Sequence, residues 1–111
     1  MSVTFEKLGP VLVVDLLGRL DSANSPQIEG ELLERITGAD GAVLLDLARL
    51  DYISSAGLRV VLVIAKRMKQ AGRALVLCSL QPNIHDVFEI SGFLSILDVV
   101  PKRADALAKL K

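Results

Sequence analysis

Two adjacent serines, Ser54 and Ser55, lie in the segment ISSAGLR (residues 53–59), directly before a long apolar run with helical spacing. A serine at the start of a helix commonly caps it, because its side-chain oxygen accepts a hydrogen bond from one of the first backbone N–H groups. An exposed serine there is also suited to phosphorylation, since the helix dipole and the free N–H groups stabilise the added negative charge. The segment therefore predicts a helix cap, a phosphorylation site, or both.

Small residues and one arginine follow the serines. We expect Ala56 and Gly57 to leave the backbone open to close approach by a second molecule, a use to which glycine is often put. Arg59 lies one helical turn beyond Ser55, so it is predicted either to reach back to a phosphate there or to be an ordinary solvated charge. Reactive groups in open α/β sheets gather beyond the carboxyl ends of the strands, where this turn is predicted to lie.

The helical run after the serines is predicted to have one buried and one exposed face. The face expected to pack on the sheet consists of Leu58, Val61, Leu62, Ala65 and Met68. The opposite face carries Val60 and Val63 among the basic residues Arg59, Lys66 and Arg67. Apolar side chains inside a charged rim are typical of a protein contact, although scattered surface valines also occur without any function. We interpret Val60 and Val63 as part of a partner-binding surface beside the serines.

Enzymatic chemistry finds little support in the residue types present. ISSAG lacks the first glycine of the G-x-S-x-G nucleophile elbow, and His85, the single histidine, would have to serve Ser55 as a base with an acid such as Asp46. One histidine and one cysteine make no recognisable metal-ligand set, and neither G-x-G-x-x-G nor a P-loop occurs. We therefore expect no catalytic residue, no metal and no cofactor.

Composition limits the kinds of partner. The chain has 111 residues with a formal net charge of +0, and its pI is about 6.6, so no broad basic surface for nucleic acid or an anionic membrane is expected. The single cysteine, Cys78, lies in the apolar run ALVLCSL, which fits a buried thiol in a reducing compartment. No signal-like or membrane-spanning run occurs. The sequence predicts a cytoplasmic, monomeric domain that recognises a protein partner by local shape.

Strands alternate with helices along the chain. The predicted strands are a hairpin from SVTFEKL (2–8) and VLVVDLL (11–17), followed by strands over 42–47, 74–80 and 95–100. The predicted helices span 26–37, stopped by Gly38, then 58–72, then Pro82 to Gly92, and a last helix starts at Pro101. The third helix should turn Ile84, Val87 and Phe88 inward, and the last should bury Ala104 and Leu107. This order, β-β-α-β-α-β-α-β-α, predicts one α/β domain over 1–111. Its mixed, mostly parallel sheet should have about five strands, with 42–47 central and an antiparallel edge.

Four segments together resemble the STAS domain family (sulfate transporter and anti-sigma factor antagonist). They are GRLD (18–21), VLLDLARLDYISSAGLRVVL (43–62), GRALVLCSL (72–80) and IHDVFEISGF (84–93), and the second is highly specific. The likeness covers essentially the whole chain and is strongest to the small free-standing bacterial anti-sigma factor antagonists.

The resemblance implies a partner-switching cycle in transcription regulation. An anti-sigma factor with a histidine-kinase-like ATPase fold phosphorylates a serine at the start of the second helix, and a metal-dependent phosphatase removes the phosphate. The unphosphorylated antagonist binds the anti-sigma factor and frees its client. In the family pattern the acceptor position corresponds to Ser55, with Ser54 in place of an aspartate and Ala56 in place of a second hydroxyl residue.

Three questions stay open at this level. Ser54 is a second candidate acceptor, although its position also fits a helix cap. Asp21 matches an acidic family position beside the kinase-binding surface, and it also fits a cap of the first helix. The chain is alternatively a constitutive STAS adaptor in a lipid-transport or sensory complex, without phosphorylation, because a serine alone does not establish a kinase.

Overall fold

A computed structural model describes residues 2–110, so Met1 and Lys111, the ends of the predicted domain range, lie outside the described residues. The strands are β1 (Ser2–Leu8), β2 (Val11–Leu20), β3 (Ala42–Asp46), β4 (Leu50–Ile53), β5 (Leu75–Cys78) and β6 (Val99–Val100); the helices are α1 (Ser25–Thr37), α2 (Ser55–Gln70), α3 (Pro82–Ile90) and α4 (Arg103–Leu110), with one 3₁₀ turn at Phe93–Ser95. This confirms the predicted α/β fold.

The six strands form one mixed sheet in the order β1-β2-β3-β5-β6, with β4 pairing with the end of β2. The β1–β2 pair is antiparallel, as expected for the leading hairpin, and every other pair is parallel. β3 is central, as predicted. The estimate of about five strands is one short, because β4 was not predicted. Its segment LDYI is only four residues long, and its two central residues are both exposed, so it lacks the alternation that marks a strand.

Both faces of the sheet are covered by helices, which explains the nearly continuous apolar runs in its strands. Val14 of β2 belongs to a large core cluster with residues of α1, α2 and α3. Its neighbour Val13 belongs to a smaller cluster on the other face with Ala106 of α4. Successive strand side chains point to opposite faces, so one apolar run supplies both cores.

Arg103 ties α4 to the sheet. Its Nη2 lies 3.2 Å from Oδ2 of Asp15, and its Nε lies 3.6 Å from Oδ2 of Asp46. These two aspartates are register partners on β2 and β3, so neighbouring carboxylates share one guanidinium. The prediction that Ala104 is buried is wrong: Ala106 is the buried residue of α4 and Leu107 is half-buried, whereas Ala104 is exposed because it lies about 200° around the helix from Ala106.

Other differences concern the ends of elements. α2 begins at Ser55, three residues before the predicted Leu58, because the capping residue lies ahead of the apolar run. The predicted strand over 95–100 shrinks to Val99–Val100, since the 3₁₀ turn occupies its start. None of the helices in the described part of the chain is both long and apolar enough to cross a bilayer.

Candidate functional site

Ser54 caps helix α2. Its backbone is extended (φ −91, ψ 176), and its Oγ accepts a hydrogen bond from the N–H of Gly57 at 3.2 Å. The Ser54 N–H donates to the carbonyl oxygen of Leu20 at 2.9 Å, and its own carbonyl oxygen accepts from Leu58 at 2.9 Å. The half-buried hydroxyl is therefore occupied in a structural bond, which confirms that Ser54 fits the cap.

Ser55 is the first residue of α2 and is exposed. Within residues 2–110 its hydroxyl has no hydrogen-bond partner. The first turn of α2 contains no acidic side chain, so the positive end of the helix dipole there is not already neutralised by a carboxylate. Two adjacent serines thus differ sharply in environment. One hydroxyl accepts a backbone hydrogen bond, and the other is exposed without a partner among residues 2–110.

Gly57 faces the core and not an incoming molecule. It is buried, and a Cβ built on it would come within 2.8 Å of Cγ1 of Ile53, 2.9 Å of Cγ of Leu20 and 2.9 Å of the Leu20 carbonyl oxygen. The absence of a side chain lets α2 approach β2 and β4 closely. The prediction that Gly57 opens the backbone to a partner is therefore wrong, whereas Ala56 is half-buried and lines a surface groove.

Val60 is only 2% exposed, so the prediction that it lies on the outer face of α2 is wrong. The prediction assumed one buried face, but α2 packs against both the sheet and α1. The helix therefore buries a wider arc, and Ile64 is fully buried within it. Val63 is half-buried and Arg59 is exposed. Of the residues predicted for the partner surface on α2, Arg59 is therefore exposed and Val63 is partly accessible, whereas Val60 is not available.

A shallow groove of about 250 Å³ lies between the first turns of α1 and α2. The residues that line it are Ser22, Ser25, Pro26, Glu29, Ala56, Arg59 and Val60. Arg59 makes no ion pair with any residue from 2 to 110, so its guanidinium is available to an added group. The groove is lined by Ala56, the residue that follows the exposed Ser55, and by Arg59 one turn further along α2.

Asp21 holds the turn that precedes α1. Its Oδ1 accepts hydrogen bonds from the N–H groups of Ala23 at 3.0 Å and Asn24 at 3.2 Å, while its own N–H donates to Oδ1 of Asn24 at 3.0 Å. Asn24, and not Asp21, occupies the N-cap position. The residue before Asp21, Leu20, accepts the hydrogen bond from the N–H of Ser54. Asp21 is therefore next in the chain to a residue that contacts the cap of α2. A partner-binding role for Asp21 stays a prediction.

A stacked pair that the sequence did not reveal joins the ends of β2 and β4. The guanidinium carbon of Arg19 is 4.2 Å from the ring centroid of Tyr52. Arg19 is on β2 and Tyr52 is its register partner on β4. Since β4 was not predicted, nothing in the sequence brought the two residues together.

The residues of the enzymatic alternative do not meet. His85 lines a cavity with Leu80, Val99, Val100 and Pro101, away from the groove beside Ser55. Asp46 is buried against Arg103. Burial also raises the pKa of the Cys78 thiol to about 11, which keeps it protonated and unreactive at neutral pH. No group of His, Cys, Asp and Glu side chains suited to a metal ion occurs in the described portion.

Comparison with known proteins gives a consistent result. Residues 2–106 match the STAS domain family. The chain is 50% identical over 111 residues to the protein named "Putative anti-sigma factor antagonist BtrV" of Bordetella bronchiseptica, covering 100% of this chain and 96% of that protein. It is 28% identical over 112 residues to the anti-sigma F factor antagonist of Paenibacillus polymyxa, covering 100% of this chain and 96% of that protein.

Solved structures match the fold throughout. The anti-sigma factor antagonist SpoIIAA in its unphosphorylated form superposes with a TM-score of 0.81 at 21% identity, covering 97% of this chain and 95% of that one. The phosphorylated form of Bacillus SpoIIAA gives a TM-score of 0.76 at 20% identity, covering 99% of this chain and 100% of that one.

Proposed function

The chain belongs to the STAS domain family, and on that premise we propose that it is an anti-sigma factor antagonist controlled by phosphorylation of Ser55. In this proposal the unphosphorylated form binds a kinase-type anti-sigma factor and releases that factor's client. Phosphorylation abolishes binding, and a metal-dependent serine phosphatase restores it. The observation that carries the proposal is the exposed, unbonded Ser55 hydroxyl beside a Ser54 hydroxyl that is committed to the helix cap.

The relatives support the proposal by what they are named. The Bordetella protein and the Paenibacillus protein both carry the name of anti-sigma factor antagonist. SpoIIAA has been solved both unphosphorylated and phosphorylated, so in that protein the fold is compatible with the modification. We extend this to the present chain because its second helix begins with a free hydroxyl and a free positive dipole end.

Such a switch needs a large change in affinity. Moving a complex from almost fully bound to almost fully free needs about 5.5 kcal/mol of differential affinity. A phosphate adds about 1.5 to 2 negative charges at pH 7, and these charges must lose water when a partner packs against the start of α2. In the free chain the same group stays hydrated and faces unpaired backbone N–H groups. The modification therefore weakens the complex while it leaves the fold intact.

The chemistry of the cycle would be divided between partners. The Ser55 Oγ attacks the γ-phosphorus of ATP, the bond to the β-phosphate oxygen breaks, and ADP leaves while the hydroxyl proton passes to a base of the kinase. Water later cleaves the phosphoserine ester in the phosphatase and releases inorganic phosphate. This chain contributes only the attacking hydroxyl and performs no catalysis. We place the cycle in the cytoplasm, where ATP and reducing conditions suit the kinase and the single thiol.

Incubation with the purified cognate anti-sigma factor and Mg-ATP, followed by peptide mass spectrometry, tests the proposal. We expect phosphate on Ser55, none on the Ser55→Ala variant, and normal modification of the matched control Ser54→Ala. The control loses about 1 kcal/mol of stability with its cap hydrogen bond, so thermal melting verifies that it is folded.

Isothermal titration calorimetry then compares the two forms with the anti-sigma factor. Ser55→Ala should bind like the unmodified chain, and Ser55→Asp should bind more weakly without unfolding. Equal affinities for these variants, or phosphate found on Ser54 alone, would contradict the proposal. A complex that stays intact during incubation with Mg-ATP, with no phosphate on either serine, would instead favour the constitutive adaptor.

A further inference from the structure

Arg19 occupies an unusual backbone position at the end of β2. Gly18 has a left-handed φ of +96, and the β2–β4 register shifts between Gly18 and Arg19, where β4 carries Asp51 as an extra residue without a β2 partner. The Gly18 N–H donates to the carbonyl oxygen of Arg49 at 2.9 Å. A bulge of this kind re-aims the following side chain and often lies beside a functional site. Glycine adopts this φ without strain, so residue 18 suits the bend of β2 opposite the bulge.

One contact holds the Arg19 backbone and another orients its side chain. Its carbonyl oxygen accepts a hydrogen bond from Nδ2 of Asn24 at 2.8 Å, which joins the strand to the turn before α1. Its guanidinium lies over the ring of Tyr52, which is 38% exposed. The next register pair, Leu20 and Ile53, is buried in the core. Because strand side chains alternate, Arg19 and Tyr52 face outward on the opposite side of the sheet.

The hydrogen-bonding edge of Arg19 is nevertheless free. Its guanidinium makes no hydrogen bond or ion pair with any residue of the described chain. A planar guanidinium stacked on an aromatic ring presents its N–H groups in a fixed fork, which matches a carboxylate in two-point fashion. Preorganisation of this kind reduces the entropy lost on binding. Arg19 is therefore prepared for an acidic group that this chain does not supply.

We propose that Arg19, stacked on Tyr52 beside the β2–β4 bulge, is a specificity-determining contact that binds a carboxylate side chain of the anti-sigma factor. The inference rests on the proposed function, because it assumes that the partner docks at the start of α2. Tyr52 lies on β4 two residues before the cap Ser54, so the pair is close in the chain to the start of α2, where the partner is proposed to dock. In the bound state Ser55 carries no phosphate, so the anion that Arg19 recognises must come from the partner.

Calorimetric titration of the purified cognate anti-sigma factor against variants of the full chain tests this assignment. Charge-assisted hydrogen bonds contribute enough that Arg19→Ala should weaken binding by about tenfold or more, and Arg19→Glu should weaken it further. Tyr52→Ala should reduce affinity because the platform is lost, whereas Tyr52→Phe should bind normally because the ring remains.

The chain offers a matched control. Arg35, in the last turn of α1, lies over the ring of Phe5 at the same 4.2 Å distance, but at the end of α1 remote from the serines. Arg35→Ala should leave affinity unchanged. A Glu→Lys or Asp→Lys substitution on the anti-sigma factor that restores binding to Arg19→Glu would identify the carboxylate.

The outcomes separate the two proposals. If Arg19→Ala and Arg19→Glu bind as tightly as the unmodified chain while phosphorylated Ser55 still blocks binding, the inference is wrong and the proposed function stands. If Tyr52→Phe weakens binding as much as Tyr52→Ala, the platform role of the ring is wrong. If the unmodified chain does not bind the anti-sigma factor, both proposals fail.

Discussion

Gly57→Ala should destabilise the chain by about 1 to 2 kcal/mol, although the same change in an open helix is favourable. A Cβ at position 57 would meet Ile53 Cγ1 at 2.8 Å, Leu20 Cγ at 2.9 Å and the Leu20 carbonyl oxygen at 2.9 Å. The two side-chain atoms can shift, but that oxygen accepts the Ser54 N–H hydrogen bond and is fixed in the sheet edge. Overpacking of this type costs about 1 to 3 kcal/mol.

The propensity gain of alanine over glycine, up to about 1 kcal/mol in a helix interior, offsets part of that cost. The net loss corresponds to a fall in melting temperature of about 4 to 8 °C for a domain of this size. Urea unfolding followed by circular dichroism measures it. Gly30→Ala is the matched control, because Gly30 lies within α1 and nothing is within 4 Å of its added Cβ. That variant should be stabilised by about 0.5 to 1 kcal/mol.

The opposite signs make the comparison decisive. If Gly57→Ala is as stable as the unmodified chain, α2 is not seated against Leu20 as described, and the account of Gly57 as a packing residue is refuted. If both variants lose stability equally, the effect does not arise from the close approach at residue 57. Only a loss at position 57 with a gain at position 30 agrees with the structure.

Two further predictions concern buried groups. Arg103→Met should lower the free energy of unfolding in urea by about 2 kcal/mol, because it leaves the buried Asp46 carboxylate without its ion pair. The control Lys109→Met breaks the exposed pair with Asp98 and should change stability by less than about 0.5 kcal/mol. Equal losses in the two variants would contradict the expectation that the buried pair matters more. Burial raises the pKa of the Cys78 thiol from 9.0 to about 11. The buried, protonated thiol therefore stabilises the folded chain fully below pH 9.0, and this stabilisation is lost as the pH rises through about 11. In iodoacetamide labelling at pH 8 the folded chain should react far more slowly than the urea-unfolded chain, and equal rates would show that the thiol is accessible.

The features predictable from the sequence were those set by local rules. The cap at Ser54 and the helix that follows depend on a few adjacent residues, and the central strand 42–47 is marked by its own apolar run. The antiparallel hairpin is likewise local, since GP at residues 9–10 signals its turn. These segments determine their structure with little help from distant parts of the chain.

The features that escaped prediction all depend on a second element. Val60 is buried because α1 packs against α2. The apolar periodicity within α2 does not predict where α1 will pack. Leu50, Tyr52 and Ile53 pair as a strand because the end of β2 is available to them. The inward side of Gly57 is defined by Leu20, which is 37 residues earlier and is brought close only by the sheet.

Fold stability and partner recognition use different atoms at the start of α2. Ser54 supplies the cap bond, Gly57 supplies the close approach, and both face inward. Ser55 takes no part in either contact and faces solvent. A charge added there meets the helix dipole and water, not the core, so its free-energy cost falls on a docked protein. In the proposed switch, phosphorylation should therefore change partner affinity by orders of magnitude while it shifts the melting temperature by only a few degrees.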